Sequence, residues 1–289
     1  MSAAAQRRVA IVTDSTADLD SADARARGID VVPLFVNFGD VRFRDRIDLS
    51  LDEFYRKLAS LTVLPTTAQP TPAMFEDAFR PHAEAGRAIV CLTIMSRLSG
   101  TMNAAHAAAA TFPDAEIHVL DSETVAGGLA LLAQHASDVA NGGGDAHAVV
   151  DAVTRARAVL RGWATIPDLS HAVRTGRVSR AQAFVGSLVK IVPVLRIGRG
   201  AIEEHARVRT FARAVDTMID AAATLANGAR AVRVCVMHSH AAELASSVLE
   251  RVRAKIAAPD ATYELLEAGP VIGTHAGPGA AGIFVLPLA

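Results

Sequence analysis

Three times in its first half the chain runs through a strand-length aliphatic stretch that ends abruptly in hydroxyls, twice with a carboxylate among them: VAIVTDST from Val9, RAIVCLTIMSRLSGT from Arg87 and AEIHVLDSET from Ala115. Runs that are apolar throughout, rather than alternating, suit strands covered on both faces, and such strands belong to parallel sheets flanked by helices. The stretches between them carry the helical period. LSLDEFYRKLASL places Leu51, Phe54, Tyr55 and Leu58 on one face, with Ser50 and Glu53 spaced as a capping box. Thr71-Pro72 opens a second helix, AMFEDAFRPHAEAG. An alanine-rich helix follows Thr101, and another is expected from Thr124 to Ala140. Asp14, Ser15 or Thr16 can cap the helix after the first strand. GIDVVPLFVNFG, from Gly28, reads as one further strand. This alternation predicts an α/β fold with a parallel sheet. In such sheets ligands gather at the carboxyl ends of the strands, where all three polar tails fall.

The pattern changes beyond the NGGGD turn. A helix from Ala146 to about Arg161 leads into short strands, IVPVLRI and AIEEHARV, that flank a hairpin at Gly198 and Gly200. After a helix over Thr210 to Ala226 come the strand ARAVRVCVMHS, a helix from Ala241 to Ala257, and terminal strands TYELLEAGPVI and AGIFVLPLA. The second half therefore reads as α+β with mixed or antiparallel pairing. Two domains are expected, 1–160 and 161–289, with a cleft between them.

A chain of 289 residues, 51% hydrophobic but only 4% aromatic, can bury a large aliphatic core. Its longest apolar stretches, such as Val125 to Ala133, fall short of the roughly 18 residues a membrane span needs. The opening MSAAAQRR lacks the apolar core of a secretory signal, so a cytoplasmic location is expected. The net charge of −1 gives no general attraction to nucleic acid. Cys91 and Cys235 each sit in an apolar run and read as buried strand residues, without a disulfide or metal role.

Several motifs have two readings. In MSRLSGTMNAAHAAAA, Ser96, Ser99 and Thr101 crowd the start of a helix that offers nothing reactive along its length. They can be capping residues, or with Gly100 they can form an anion site among free backbone N–H groups. GPGAAG, from Gly277 to Gly282, matches the dinucleotide pattern in letters only, because a short strand and no helix follows it. His238 and His240 form an H-x-H pair without a third ligand at a characteristic spacing, which favours a strand end followed by a helix cap. Ser99, His275 and Asp14 could make a hydrolase triad, but RLSGT lacks the G-x-S-x-G elbow.

Taken in order, VAIVTDSTADL, VVPLFVNFGD, PTTAQP, SRLSGT, VLDSETVAGG, RTGRVS with VGSLVKIVPVL, and GPVIGTHAGPGAAGIF resemble the DegV family of bacterial fatty-acid-binding proteins from about Val9 to Phe284. The resemblance implies an α/β domain joined to an α+β domain, with one long-chain fatty acid between them. It implies no chemistry by this chain itself and no cofactor or metal. The partner it implies is a fatty acid kinase that makes acyl phosphate for phospholipid metabolism, with transient membrane contact at most. Carried over residue by residue, the carboxylate contacts are Thr67, Ser99 and His275, with Ser96 and Gly100 as additional site residues. Arg177 and Arg209 fall in motifs placed near the tunnel mouth and would face the kinase. FVGSLVKIVPVLRI could line the tunnel. The chain departs from the family pattern at Ala68, Met102 and Thr175, which bears on acyl preference and partner fit. The alternative is an esterase-like serine hydrolase using Ser99 and His275.

Overall fold

The computed structural model describes residues 8–60, 63–177 and 191–288. The end of RTGRVS at 178–179 and the part of FVGSLVKIVPVLRI at 184–190 lie outside them. Four strands, β1 (Val9–Asp14), β2 (Ile29–Val32), β6 (Ala88–Thr93) and β7 (Ile117–Asp121), form an all-parallel sheet in the order β2-β1-β6-β7. Chain direction across the sheet reverses between β1 and β6, which opens a crevice at their carboxyl ends. Helices α1 (Ser21–Arg27), α3 (Pro72–Glu84) and α4 (Thr101–Ala109) connect the strands. Pro72 takes the first turn of α3, where a missing N–H costs nothing.

The stretch expected as one strand from Gly28 is two, in different sheets. Pro33 has no N–H to give to a ladder, and the Leu34 N–H turns to Ser15 Oγ at 3.0 Å instead. The chain then re-forms as β3 (Phe35–Phe38), paired antiparallel with β4 (Val41–Arg44) and with β5 (Thr66–Ala68), a short strand inside the PTTAQP loop. Helix α2 (Leu51–Ser60) covers this small sheet with Phe54, Tyr55 and Leu58. Its capping box forms as expected, the Glu53 carboxylate accepting from Ser50 N and Ser50 Oγ.

The second half builds a six-stranded mixed sheet in the order β10-β9-β8-β13-β11-β12. Its strands are β8 (Arg161–Thr165), β9 (Val192–Gly198), β10 (Ala201–Val208), β11 (Ala231–His238), β12 (Asp260–Glu267) and β13 (Ala281–Leu288). Helices α8 (Phe211–Ala226) and α9 (Ala242–Lys255) cover its outer face, while α7 (Ser170–Thr175) packs near α10 (Pro270–Ala276). That last helix corrects the expectation that TYELLEAGPVI is a single strand. Gly269 breaks the strand and Pro270 is preset for a helix start.

Between the two large sheets runs α5 (Gly127–Asn141), followed by α6 (Ala146–Val159). A helix buried on every side must be apolar all round, and α5 buries Leu129, Leu131 and Leu132 together with Ala130, Ala133 and Ala136. Small residues let the strands come close. A Cβ on Gly127 would sit 2.7 Å from Cys235 Sγ and 2.8 Å from the Phe284 ring. Across the β8–β13 pair, the Phe284 ring lies directly over Gly162.

Candidate functional site

At the carboxyl end of β6, against the inner face of the six-stranded sheet, lies a cavity of ≈ 480 Å³. Its walls are mostly aliphatic, from Ile94, Val125, Ala164, Ile197, Met237 and Ile272 among others, with Phe284 as the aromatic residue. Thr67, Gln69, Ser99, Gly100 and His275 also reach it, together with Arg177 from α7's end. A second, more polar cavity adjoins it, sharing Leu98, Arg177 and Ile202 and bordered by Arg97 and Glu203.

The polar side chains come together from three distant segments. Thr67 Oγ1 lies 2.9 Å from His275 Nε2, which joins β5 to α10. Gln69 lies so close over Gly100 that a Cβ there would overlap its carboxamide, which joins the β5 loop to the turn before α4. Ser99 Oγ lies 2.8 Å from Thr101 Oγ1 and accepts from Thr101 N at 3.3 Å. Either hydroxyl can donate across the 2.8 Å contact, and when Thr101 does, the Ser99 proton is left to point elsewhere. Gly100 is the cap residue of α4 and has no side-chain cap bond, so Ser99 braces the helix start from one residue outside it, through Thr101 N.

Burial, reinforced by the nearby Arg177 guanidinium, pushes the His275 imidazole down to about 4. It is neutral near pH 7 and acts as a hydrogen-bonding group, not a counter-charge. Nδ1 is buried and has no hydrogen-bond partner among the described residues. A proton on Nε2 places the donated bond on Thr67 Oγ1 and frees the Thr67 hydroxyl to donate in turn. The depressed value also sets a pH dependence. The unfolded chain takes up the proton first, near the ordinary value of about 6.5, so the stability gained from neutral His275 is present above that value and lost as pH falls through about 4. Thermal unfolding should therefore show a smaller decline between these limits in His275→Gln than in wild type. Parallel curves for the two proteins would contradict the shift.

Helix α10, which carries His275, is pinned at its start by buried carboxylates. Asp18 Oδ1 accepts from Gly269 N at 2.8 Å and faces Arg46 at 3.5 Å. Asp45 accepts from Val271 N at 3.3 Å and from Ser15 Oγ at 2.6 Å. Burial raises all three acids of this cluster, Asp14 and Asp45 to about 6 and Asp18 well above its ordinary value. The contribution of Asp14 and Asp45 has the opposite sign to that of His275, present at low pH and lost as pH rises through about 6. Tyr55 completes the anchor, donating to Ala268 O at 2.9 Å.

Of the residues expected at the site, Thr67, Ser99, Gly100 and His275 line one cavity, with Arg177 beside His275. Ser96 is exposed, its N–H directed to Asp121, and it does not line the cavity. Arg209 is exposed beyond the end of β10, at the far end from the hairpin tip where Gly200 and Ala201 border the second cavity. Gln69 was not anticipated, although it stands in the quoted PTTAQP. The hydrolase triad is not assembled: Asp14 accepts from Thr16 and Ile94 N, His275 pairs with Thr67, and Ser99 pairs with Thr101. His238 ends β11 and accepts from Ala241 N at 3.1 Å just ahead of α9, whose cap residue Ala241 has no side-chain cap bond, and His240 stacks on Tyr55. Cys91 and Cys235 are buried and free.

The chain is 35% identical over 280 residues to a DegV domain-containing protein of Streptomyces coelicolor, spanning 96% of this chain and 98% of that one. It is similar in structure to a DegV family protein from Thermus thermophilus described for its fatty acid binding, with a TM-score of 0.90 and 29% identity over 97% of this chain and all of that one. A second solved structure, DegV from Bacillus subtilis, described as a fatty acid binding protein, gives a TM-score of 0.89 at 28% identity, over 98% of this chain and all of that one. The family model named DegV, which describes otherwise uncharacterised proteins, matches residues 8–288. By sequence over nearly its whole length and by fold, the chain belongs to the DegV family.

Proposed function

We propose that the protein binds one long-chain fatty acid in the ≈ 480 Å³ cavity, between its 1–160 and 161–289 halves, and presents the carboxylate to a separate kinase that forms acyl phosphate. The observation that carries the reading is an aliphatic cavity into which Thr67, Ser99, Gln69 and His275 converge from three segments. Such a lining suits an alkyl tail, and the hydroxyls suit its carboxylate. The family relatives described as fatty acid binding proteins support the same ligand class.

The energetics agree. Burying an unpaired carboxylate costs several kcal/mol, and each charge-assisted hydrogen bond returns about 1.5–3 kcal/mol. Thr67 and Ser99, with the His275–Thr67 bond and the start of α4 behind them, roughly offset that cost. Affinity then comes from the tail, at about 0.8 kcal/mol per buried CH₂. In this reading the chain does no chemistry itself. The kinase moves a phosphoryl group from ATP to a carboxylate oxygen and releases ADP.

Arg177 stands where the two cavities join, a position suited to guiding the partner to the carboxylate. The presentation role is argued for Arg177, which lines both cavities, whereas Arg209 lines neither. Charges at a rim change association more than they change a buried site. Arg177→Ala should keep near-wild-type fatty acid affinity yet yield at least about tenfold less acyl phosphate when mixed with kinase and ATP. Undiminished acyl phosphate output would remove the presentation role. Among the described residues no helix is long and apolar enough to cross a membrane.

A further inference from the structure

Away from the cavity, three metal-ligating side chains meet where the edge of the parallel sheet passes the start of α6. Glu116 immediately precedes β7 and His118 lies within it, two positions apart and so on one face of the strand. His147 is the second residue of α6. Glu116 Oε1 lies 3.0 Å from His118 Nε2 and 3.7 Å from His147 Nδ1. The two imidazoles meet edge to face at 5.5 Å, and one donor atom from each residue falls within 4.8 Å of the others.

We propose that Glu116, His118 and His147 form a binding site for a divalent cation of the zinc class. Zinc binds nitrogen and oxygen donors at about 2.0–2.2 Å, which sets neighbouring tetrahedral ligands roughly 3.4 Å apart. The separations from Glu116 already bracket that spacing. The remaining adjustment falls to His147, whose side chain is 81% exposed and free to turn. Two imidazoles with one carboxylate select zinc, nickel or copper over magnesium or calcium, which require oxygen donors. The site supplies three protein ligands and leaves the fourth position to water. The partial positive charge at the start of α6 works against a cation, and the carboxylates of Glu116 and of Asp145, the cap of α6, work against that charge.

The bound ion would tie α6 to β7, the edge strand of its sheet, and so brace an edge beside which no further strand pairs among the described residues. It has no contact with the fatty acid cavity, and the proposal stands apart from the ligand assigned there.

The test is calorimetric titration of zinc chloride into the full chain, freed of any affinity tag and stripped with chelator, near neutral pH. One zinc should bind per chain at micromolar concentration, with a rise in unfolding temperature. Cobalt in place of zinc should give the visible absorption of a tetrahedral site. His118→Ala with His147→Ala should weaken zinc by about a hundredfold or more, because two of three protein ligands are gone. His106→Ala, an exposed histidine elsewhere, should bind as wild type does. Circular dichroism confirms that each variant is folded. No saturable zinc binding by wild type, or equal affinity in the double variant, would overturn the proposal.

Discussion

Thr67→Ala combined with Ser99→Ala should lower fatty acid affinity at least a hundredfold while leaving the protein folded. Each hydroxyl is assigned a hydrogen bond to an ionised carboxylate, at about 1.5–3 kcal/mol. Two such bonds correspond to roughly two to four decades in affinity. The single variants should each lose about one to two decades. Thr67 is partly exposed at the site, and its substitution removes the hydroxyl partner of His275 Nε2, so Thr67→Ser should restore most of the loss. Ser99 supports Thr101 N at the start of α4. Losing that one hydrogen bond costs about 1 kcal/mol of stability, too little to unfold a domain of this size. Affinity is read by competition against a fluorescent fatty acid. Wild-type affinity in the double variant would place the carboxylate elsewhere.

The second large effect concerns the tail. Ala164 lines the aliphatic wall from the middle of β8, across from Gly282 and close to Phe284. Ala164→Phe would fill cavity volume while leaving Thr67, Gln69, Ser99 and His275 themselves unsubstituted. If it excludes about four methylenes, long acids lose roughly 3 kcal/mol, more than a hundredfold, while acids short enough to stop before the ring lose little. The expected result is an inverted preference, with medium-chain acids outcompeting long ones. Equal weakening of all chain lengths would indicate damage to the fold, and an unchanged preference would put the tail in another part of the molecule.

The parallel sheet was legible because its strands are apolar on both faces and end in polar tails, as in VAIVTDST. The site was legible in part for the same reason, since Ser99 stands in the tail that follows β6. Two elements were not. GIDVVPLFVNFG has a continuous β pattern, and only Pro33 marks that its halves serve different sheets. TYELLEAGPVI likewise hides a helix start, because Val271 and Ile272 suit a strand until the buried acids claim the N–H groups of Gly269 and Val271. Those acids illustrate a general limit. Asp14, Asp18 and Asp45 meet only through the fold, and nothing in their spacing announces a cluster. Gln69 carried a signal in PTTAQP, but its place over Gly100 depends on a contact between segments thirty residues apart.

Native mass spectrometry of the purified wild-type chain, mixed with equal amounts of medium- and long-chain fatty acids, tests the central claim most directly. The account predicts a single added mass per chain, that of one intact long-chain acid, held in preference to the shorter acids. A spectrum of unliganded protein at every fatty acid concentration, or of acids bound in several copies without preference for length, would contradict it.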